Sequence, residues 1–267
     1  MDDITKYYDA VSKDYDDVFG MLIYRLLDSV TWRFLEPYLP TRPDALVLDA
    51  GGGTGRWAAC MAGKGCRVVL MDASEGMLNV ASKRIEKEGL QDRVTIRKGD
   101  MTATSCASES FDLILCEHAL FLLDNPDTAL AEFMRVLKKG GRLVVSVHNR
   151  YVQVLCRLET PKIEDMDNAL KVLLGQKLDS MTQDGRVNIH TYTPDEFRTL
   201  LERNGFLVEK MVGKGMSMPI RISKDLFAKK DYSEELFGRI LEFEFALCER
   251  QDALALAGHL QAIARKP

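Results

Sequence analysis

The residues best suited to chemistry lie in one stretch of the sequence, Leu46–Met77. An acid there is followed by three glycines at alternate positions: Asp49, then Gly51, Gly53 and Gly55. Glycines let the backbone turn sharply and approach a ligand with no side chain in the way. A second acid, Asp72, ends the next apolar run, where it can accept hydrogen bonds from a ribose diol. The stretch therefore predicts a strand, a glycine-rich turn, a helix and a second strand around a nucleoside-type ligand.

The spacing of the glycines separates this turn from two other nucleotide-binding turns. The dinucleotide fingerprint is G-x-G-x-x-G, whereas the pattern here is D-x-G-x-G-x-G. No Lys-Ser or Lys-Thr pair follows, so the turn is not a phosphate-binding P-loop. The sequence resembles the class I S-adenosylmethionine-dependent methyltransferases, whose first motif has an acid and three glycines in this order. The resemblance covers residues 40–150 well and the flanks more loosely. The alternative is a glycine-rich turn in another kind of α/β domain.

The resemblance implies a set of cofactor-binding residues that follow the turn: Asp72, Ala73, Met77, Asp100, Met101 and Glu117. In the family, an acid at the place of Asp100 binds the adenine amino group, and the backbone of the next residue, here Met101, meets the ring. Met77 lies on the first turn of a helix that Ser74 can cap, and its side chain is expected to lie against an adenine face. A plain turn residue remains the alternative interpretation of Asp100.

Residues 1–40 are predicted to form helices that cover the cofactor. In the resembled family, a segment of the form Y-D-x-x-A/S-x-x-Y-D often has this place, and Tyr8-Asp9, Ser12 and Tyr15-Asp16 fit it. We expect Tyr15, with Tyr8 beside it, to contact the cofactor. Arg25, a cation in an apolar stripe, is expected either to pair with the cofactor carboxylate or to lie at the surface. The simpler alternative is a helix pair packed on the sheet.

The candidate catalytic residues are histidines near predicted strand ends. The cofactor's sulfonium makes its methyl group an electrophile, so the main task is to hold a nucleophile in line with the methyl–sulfur bond. A carboxylate acceptor needs no base, whereas a phenol, amine or thiol can need one with a pKa near the working pH. His118 and His148 follow the fourth and fifth predicted strands, and His190 lies further along. Each is a candidate base, a ligand of the acceptor or a packed polar residue.

The alternation of strand and helix patterns over residues 45–150 predicts an α/β, Rossmann-like domain. We expect a seven-stranded, mostly parallel sheet with helices on both faces and one antiparallel strand near the C-terminus. The run L-K-x-G-G-x-L, whose glycines precede a fifth strand predicted at Leu143–Val147, is typical of the same family. The predicted layout is a single domain over 1–267, with a helical cover at 1–40, a cofactor-binding core at 45–150, a mostly helical insertion at 151–192 and a loop with a cap at 213–235.

The composition limits the environment and the partners of the protein. Its 267 residues carry a formal net charge of −4, and the pI is about 5.7, so a global basic field for nucleic acid is absent. No apolar run reaches the roughly 18 residues of a membrane helix, and we expect neither a signal peptide nor a membrane partner. The six cysteines form no C-x-x-C pair and no group with histidines. We therefore expect reduced thiols, no metal and a cytoplasmic location.

The identity of the methyl acceptor stays open. The acidic pI and the apolar insertion favour a small molecule in a closed pocket. The closing segments L-E-x-E-x-x-x-C and G-H-L-x-A-x-A-R-K-P resemble the branch that includes the tRNA carboxymethoxyuridine methyltransferases, which favours tRNA. A protein acceptor is a further possibility. A non-catalytic module that retains the cofactor fold is the alternative from another class, and the intact set of acids and glycines argues against it.

Overall fold

A computed structural model describes residues 2–155, 158, 162–182, 185–217 and 230–267. The helices are α1 (Asp2–Val11), α2 (Leu22–Leu35), α3 (Arg56–Gly63), α4 (Glu75–Lys87), α5 (Pro126–Val136), α6 (Arg150–Leu155), α7 (Ile163–Leu173), α8 (Pro194–Arg203) and α9 (Glu234–Leu247). The strands are β1 (Leu46–Ala50), β2 (Arg67–Asp72), β3 (Val94–Lys98), β4 (Phe111–Cys116), β5 (Leu137–Asn149), β6 (Leu178–Thr182), β7 (Gly185–Ile189), β8 (Thr191–Tyr192), β9 (Leu207–Lys214) and β10 (His259–Arg265).

The main sheet has eight strands, of which seven lie side by side in the order β3-β2-β1-β4-β5-β10-β9. The first five strands of this path run parallel, and β10 is antiparallel to both β5 and β9. The predicted seven-stranded, mostly parallel sheet with one antiparallel strand is therefore confirmed. The two-residue strand β8 additionally pairs with the end of β5. The strand order reverses between β1 and β4, and open α/β sheets bind ligands at the strand ends beside such a switch point.

Helices cover both faces of the sheet because its central strands are apolar on both sides. On one face, Phe133 of α5 and Phe197 of α8 are fully buried. On the other face, Val30 of α2 and Met61 of α3 are fully buried. Each such side chain contributes roughly 1.5–3 kcal/mol by leaving water. The strand ends that carry the polar residues therefore rest on a well-packed core.

Strand β5 is longer than the sequence predicts. It begins at Leu137 rather than at Leu143, so it includes the two glycines that were expected to form a turn before the strand. The reason is pairing with the C-terminal end of the chain: Gly140 N donates to Lys266 O at 3.0 Å, and Lys266 N donates to Gly141 O at 2.9 Å. The register with β4 shifts between Phe111 and Leu113, where the extra residues are accommodated.

The insertion at 151–192 differs from the mostly helical segment that we expected. It contains α7 and also an antiparallel hairpin of β6 and β7, in which Leu178 pairs with Ile189. The alternation of apolar and polar residues in Arg186–Ile189 is a strand pattern, and it outweighs the loose helical spacing. In the other predicted insertion, residues 213 and 214 belong to β9, and the expected loop and cap over 218–229 lie outside the described residues.

The N-terminal segment is helical, as expected. It consists of α1, a 3-10 helix at Tyr15–Gly20 and α2. Leu22 and Leu26 of α2 pack with Ile240 of α9, which fixes α2 from the side away from the sheet. Among the described residues, no helix is long and apolar enough to cross a membrane.

Candidate active site

The glycine-rich turn after β1 has a left-handed backbone at alternate residues. The φ angles of Gly51, Gly53 and Gly55 are 72°, 53° and 77°, a region that residues with a Cβ rarely adopt. A Cβ added to Gly51 would lie 2.6 Å from the Ala119 Cβ, whereas one on Gly53 would meet nothing within 4 Å. Gly55 is the N-cap of α3 and packs against the interior rather than the cleft. The turn thus places bare backbone at Gly51 and Gly53 beside an open space.

Asp72, at the end of β2, lies against this turn. Its carboxylate accepts hydrogen bonds from Gly53 N at 2.8 Å and from Ser74 N at 2.9 Å. Burial raises the pKa of Asp72, and the backbone N–H groups oppose that rise. Ser74 in turn caps α4 by accepting from Met77 N at 3.1 Å, as the sequence predicts. The carboxylate is therefore fixed in orientation at the mouth of the cleft.

A first cavity of about 300 Å³ lies at the ends of the parallel strands. It brings together most of the predicted cofactor residues: Tyr15, Gly51, Gly53, Asp72, Ala73, Met77, Asp100, Met101 and Glu117. Asp100 accepts a hydrogen bond from Thr102 N at 2.8 Å, which is a turn interaction, and it also lines the cavity. The two interpretations of Asp100 are therefore compatible.

A second cavity of about 410 Å³ continues from the first. The two cavities share a wall, and these residues contribute to it: Tyr8, Tyr15, Gly51, Gly53, Glu117, His118 and Leu122. The second cavity is additionally lined by Asp49 and Arg56, and by His148 and His259 on neighbouring strands β5 and β10. One continuous cleft therefore has an acidic end near β2 and a histidine-lined end near β5.

Glu117, directly after β4, is held by a cation that the sequence analysis missed. Lys214, the last residue of β9, is fully buried and forms an ion pair with Glu117 Oε1. The Lys214 Nζ also donates to the Thr31 hydroxyl at 3.0 Å. Burial favours the protonated form of Glu117, but the charge of Lys214 and the hydrogen bonds from Lys214 and His118 outweigh it and lower the pKa of this carboxyl group. Glu117 is thus an ionised carboxylate inside the protein.

Three histidines lie together at the second cavity: His118, His148 and His259. The ring centroids of His118 and His259 are 4.7 Å apart, and those of His148 and His259 are 4.3 Å apart. Burial, reinforced by the neighbouring histidines, lowers the pKa of His259 well below its ordinary value. The sequence analysis did not single out His259, and the register of β10 with β5 places it opposite His148. Within the described parts of the chain, no three metal-binding side chains are grouped as a metal site.

His190 is not brought to this cluster. Its backbone N donates to Phe121 O at 2.9 Å, and its ring stacks with Tyr192 at 6.4 Å. Partial burial lowers its pKa. It lines neither part of the cleft as far as the described residues form it. His118 and His148 are therefore the predicted histidines that reach the cleft.

The N-terminal segment lies over the cleft through its two Tyr-Asp pairs. Tyr8 and Tyr15 line both cavities, with their ring centroids 5.9 Å apart, and burial raises the pKa of each hydroxyl. Asp9 accepts from Ser74 Oγ at 2.6 Å and from Gly76 N at 2.8 Å. The aspartates thus bind the protein core while the tyrosines form the cover.

Arg25 lies elsewhere. Its guanidinium donates to Glu234 at 2.9 Å and 3.1 Å, and it lies over the Phe237 ring at 4.1 Å. The predicted pairing with a cofactor carboxylate is therefore unsupported by the geometry, because α9 occupies this side of α2. Arg56, at the start of α3, is the arginine that lines the second cavity, where it pairs with Asp28.

The residues of the cleft fit a cationic nucleoside such as S-adenosylmethionine. The buried oxygens Asp49 Oδ2 and Glu117 Oε2 have no hydrogen-bond partner within the described residues. Burial and the charge of Asp72 raise the pKa of Asp49 to about 7, so a nearby positive charge would stabilise its carboxylate. The bare backbone of the glycine turn and the acceptor oxygens of Asp72 suit a ribose beside them.

Comparison with known proteins supports the resemblance. Residues 48–145 match the family profile described as "Methyltransferase domain". A demethylmenaquinone methyltransferase of Bacteroides fragilis is 31% identical over 149 residues, which are 53% of this chain and 58% of that protein. A tRNA 5-carboxymethoxyuridine methyltransferase of Escherichia coli is 24% identical over 262 residues, which are 97% of this chain and 95% of that protein. The chain spans about three fifths of the length of the relatives that it matches at higher identity.

The fold is shared with solved structures. A geranyl diphosphate C-methyltransferase of Streptomyces coelicolor, solved with S-adenosyl-L-homocysteine, aligns with a TM-score of 0.59. The alignment has 16% identity and covers 90% of this chain and 80% of that one. The predicted resemblance is thus confirmed for residues 48–145, which match the methyltransferase-domain profile, and the chain has the fold of a solved methyltransferase.

Proposed function

We propose that the protein transfers the methyl group of S-adenosylmethionine to a small-molecule acceptor by in-line displacement. One observation carries the proposal: two joined cavities meet at the wall that contains Gly51, Glu117 and His118, beside the switch point of the sheet. One cavity has the acids expected to bind the cofactor, and the other has the histidines. Reaction between two bound molecules needs such a shared wall, because proximity and alignment supply much of the rate.

The first cavity is proposed to hold the cofactor. Asp72 would accept hydrogen bonds from the ribose hydroxyls, and Asp100 and Met101 would meet the adenine, with Met77 against its face. Ala73 and Tyr15 complete the lining on either side. When bound, the cofactor supplies a methyl group made electrophilic by its positive sulfur. The acids Asp72 and Asp100 line this cavity and give it an acidic character that suits this cation.

The second cavity is proposed to hold the acceptor under a cover. Tyr8 and Tyr15 come from the N-terminal segment, and Gln153 and Ile189 come from the insertion after β5. A cover of this kind excludes water and holds the nucleophile in line with the methyl group. Aromatic and aliphatic side chains form much of the lining, among them Tyr7, Phe19 and Ile23, and a lining of this kind suits a small organic acceptor.

A tRNA acceptor is the second candidate. The supporting observation is that similarity to the E. coli tRNA 5-carboxymethoxyuridine methyltransferase runs along nearly the whole of both chains. The net charge of −4 disfavours this candidate, because tRNA binding relies on neutralising many phosphates. A protein acceptor has no specific observation in its favour.

A methyl-transfer screen tests these candidates. The purified protein is incubated with S-adenosylmethionine labelled in its methyl group and with cell extract separated into small molecules, RNA and protein. Label in the small-molecule fraction is the expected result. Label confined to tRNA or to protein would show that the acceptor is that macromolecule rather than a small molecule.

A variant and a binding measurement control the screen. Asp72→Ala should incorporate little label while its melting temperature stays close to that of the wild type. S-adenosylhomocysteine binding by calorimetry, combined with no label in any fraction, would indicate the non-catalytic module. Absence of both binding and label would reject the whole proposal.

A further inference from the structure

Lys214 and Glu117 form a buried ion pair beside the cleft. The Lys214 side chain is completely inaccessible, and Glu117 is exposed only to 6%. The Thr31 hydroxyl, on α2, accepts from Lys214 and lies 3.4 Å from Glu117 Oε1. Burying two charges in this way usually costs stability relative to apolar side chains of the same size. An ion pair at this place is therefore a candidate for a functional rather than a structural role.

The ion pair continues to His118. The Nε2 atom of His118 lies 3.1 Å from Glu117 Oε1, the same oxygen that binds Lys214. An ionised carboxylate only accepts hydrogen bonds, so Nε2 must carry the proton and donate. When the ring carries a single proton, its lone pair is therefore on Nδ1. Since the ring lines both cavities and is 27% exposed, Nδ1 is the nitrogen left for a ligand.

The backbone also holds His118 in place. Its φ angle is 56°, a left-handed conformation that costs free energy for a residue with a Cβ. Its backbone N donates to Ser146 Oγ at 3.2 Å, on the neighbouring strand β5. A residue keeps a strained backbone conformation only when contacts with its surroundings hold it there, and such residues are found mostly at functional sites.

Groups from four other elements surround this imidazole. Asp28 on α2 and Lys214 on β9 carry opposite charges, His259 on β10 stacks on the ring, and His148 on β5 presents its ring edge-on. Burial lowers the pKa of His259, so this neighbour is neutral near neutral pH. The closest ionised partner of His118 is therefore Glu117, and the state of Glu117 depends on Lys214.

We infer that Lys214 is a positioning residue for the methyl transfer. It holds Glu117 as a carboxylate, and this carboxylate fixes His118 with Nδ1 as the proton acceptor. The methyl acceptor is therefore a molecule that must lose a proton. This inference rests on the proposed function. Its substrate class is a hydroxyl, enol, amine or carbon acid rather than a carboxylate, because a carboxylate needs no base.

The proton transfer accompanies the displacement. The nucleophilic atom of the acceptor forms its bond to the methyl carbon as the methyl–sulfur bond breaks, and that bond's electron pair stays on sulfur. The proton that the acceptor loses, from its hydroxyl group, amine or acidic carbon, passes to Nδ1 of His118. The imidazolium is stabilised by Glu117, and it later returns the proton to solvent.

Nitrogen NMR of histidine tests the positioning role without any acceptor. The full-length protein is labelled with ¹⁵N-histidine and saturated with S-adenosylhomocysteine, and His118→Gln assigns the His118 signals among the four histidines. In the wild type at mildly alkaline pH, Nε2 is expected to carry the proton, because it faces the Glu117 carboxylate, and Nδ1 is expected to be unprotonated. In Lys214→Met, the buried Glu117 should take up a proton and donate it, so the tautomer reverses.

Matched variants separate positioning from general destabilisation. Lys210→Met removes an exposed lysine from the same strand, where it pairs with Glu249, and should keep the wild-type tautomer. Lys214→Arg retains the positive charge and should also keep the wild-type tautomer of His118. If Lys214→Met fails to fold, Glu117→Gln gives the same test. Because an amide can both accept and donate a hydrogen bond, this variant should show a mixture of the two His118 tautomers. A wild-type tautomer in both Lys214→Met and Glu117→Gln would overturn the positioning role.

Alkaline stability of the product tests the acceptor class. Labelled product from the screen is treated with mild alkali, which releases volatile methanol from methyl esters and leaves ethers, amines and carbon-bound methyl groups intact. Stable label supports the inference. Volatile label would overturn the acceptor class while preserving the methyltransferase proposal. No label in any fraction would reject the proposed function itself, and the NMR result would then report the tautomer alone.

Discussion

The Thr54 hydroxyl donates a hydrogen bond of 2.7 Å to the carboxylate of Asp16, which joins the cover to the glycine-rich turn. Arg84 of α4 pairs with the same carboxylate and donates to Thr54 O at 3.0 Å. Asp16 follows Tyr15 directly, so the bond that fixes the aspartate also fixes the tyrosine against the cleft. The cover is thus connected to the segment that is proposed to bind the cofactor.

Replacing Asp16 should loosen the cover. In Asp16→Ala, we expect faster limited proteolysis between Tyr8 and Phe19 and weaker binding of S-adenosylhomocysteine, because Arg84 and Thr54 lose their common partner. In the wild type, the cofactor product should protect the same bonds, since binding favours the closed population. Asp17→Ala changes the adjacent exposed acid and should behave as wild type. Equal proteolysis of both variants would show that the segment is only packing.

Removing the Asp72 carboxylate should weaken cofactor binding. We expect Asp72→Ala to lose roughly 1.5–3 kcal/mol, or about 10- to 150-fold in Kd, as for hydrogen bonds to a charged group. Asp72→Asn keeps one acceptor oxygen for Gly53 N and should lose less. Isothermal titration calorimetry with S-adenosylhomocysteine measures both. Wild-type affinity in Asp72→Ala would reject the ribose role.

Two glycines of the turn should respond differently to alanine. Gly53→Ala should cost only about 1–2 kcal/mol of folding free energy for the left-handed backbone, because its Cβ meets nothing within 4 Å. That methyl group would project toward the cleft, so the loss of cofactor-binding free energy should exceed the loss of folding free energy. Gly51→Ala should be less stable than Gly53→Ala, because its Cβ would lie 2.6 Å from that of Ala119. Urea unfolding and calorimetry separate the two effects, and equal stabilities would contradict the packing argument.

Asp49 should make the ligand-free protein less stable as the pH rises. Its pKa is raised to about 7 in the folded protein, so between about pH 4 and pH 7 the folded state holds a proton that the unfolded state has lost. The contribution of Asp49 to the free energy of unfolding is largest below about pH 4, and it falls by up to roughly 3–4 kcal/mol as the pH approaches 7.

The variant Asp49→Asn isolates this dependence. Its free energy of unfolding, measured by urea titration across the same range, should lack the decline that the wild type shows. The difference between the two proteins should become constant above about pH 8, where Asp49 is ionised in both states. Parallel curves for the two proteins from pH 4 to 7 would mean that Asp49 has an ordinary pKa.

The sequence alone determined the core of the fold and most of the proposed cofactor site. Parallel strands end at one edge of a sheet, so the residues after β1, β2, β3 and β4 had to converge once those strands were recognised. The positions of Asp72 and Asp100 at this edge follow from the sequence on this basis. The glycine spacing and the Ser74 cap depend on only a few neighbouring residues, so they can also be predicted from the sequence.

Only the tertiary structure decided which distant charges meet. Lys214 ends β9 and Glu117 follows β4, and their pairing depends on how the C-terminal part of the chain packs against the core. The same applies to His259, which meets His148 through the register of β10 with β5. Arg25 and Arg56 look equally available in the sequence, but α9 supplies Glu234 to the first, and the fold turns the second toward the cleft. These outcomes follow from long-range packing, whose energy is shared among many residues and leaves no pattern in any single stretch.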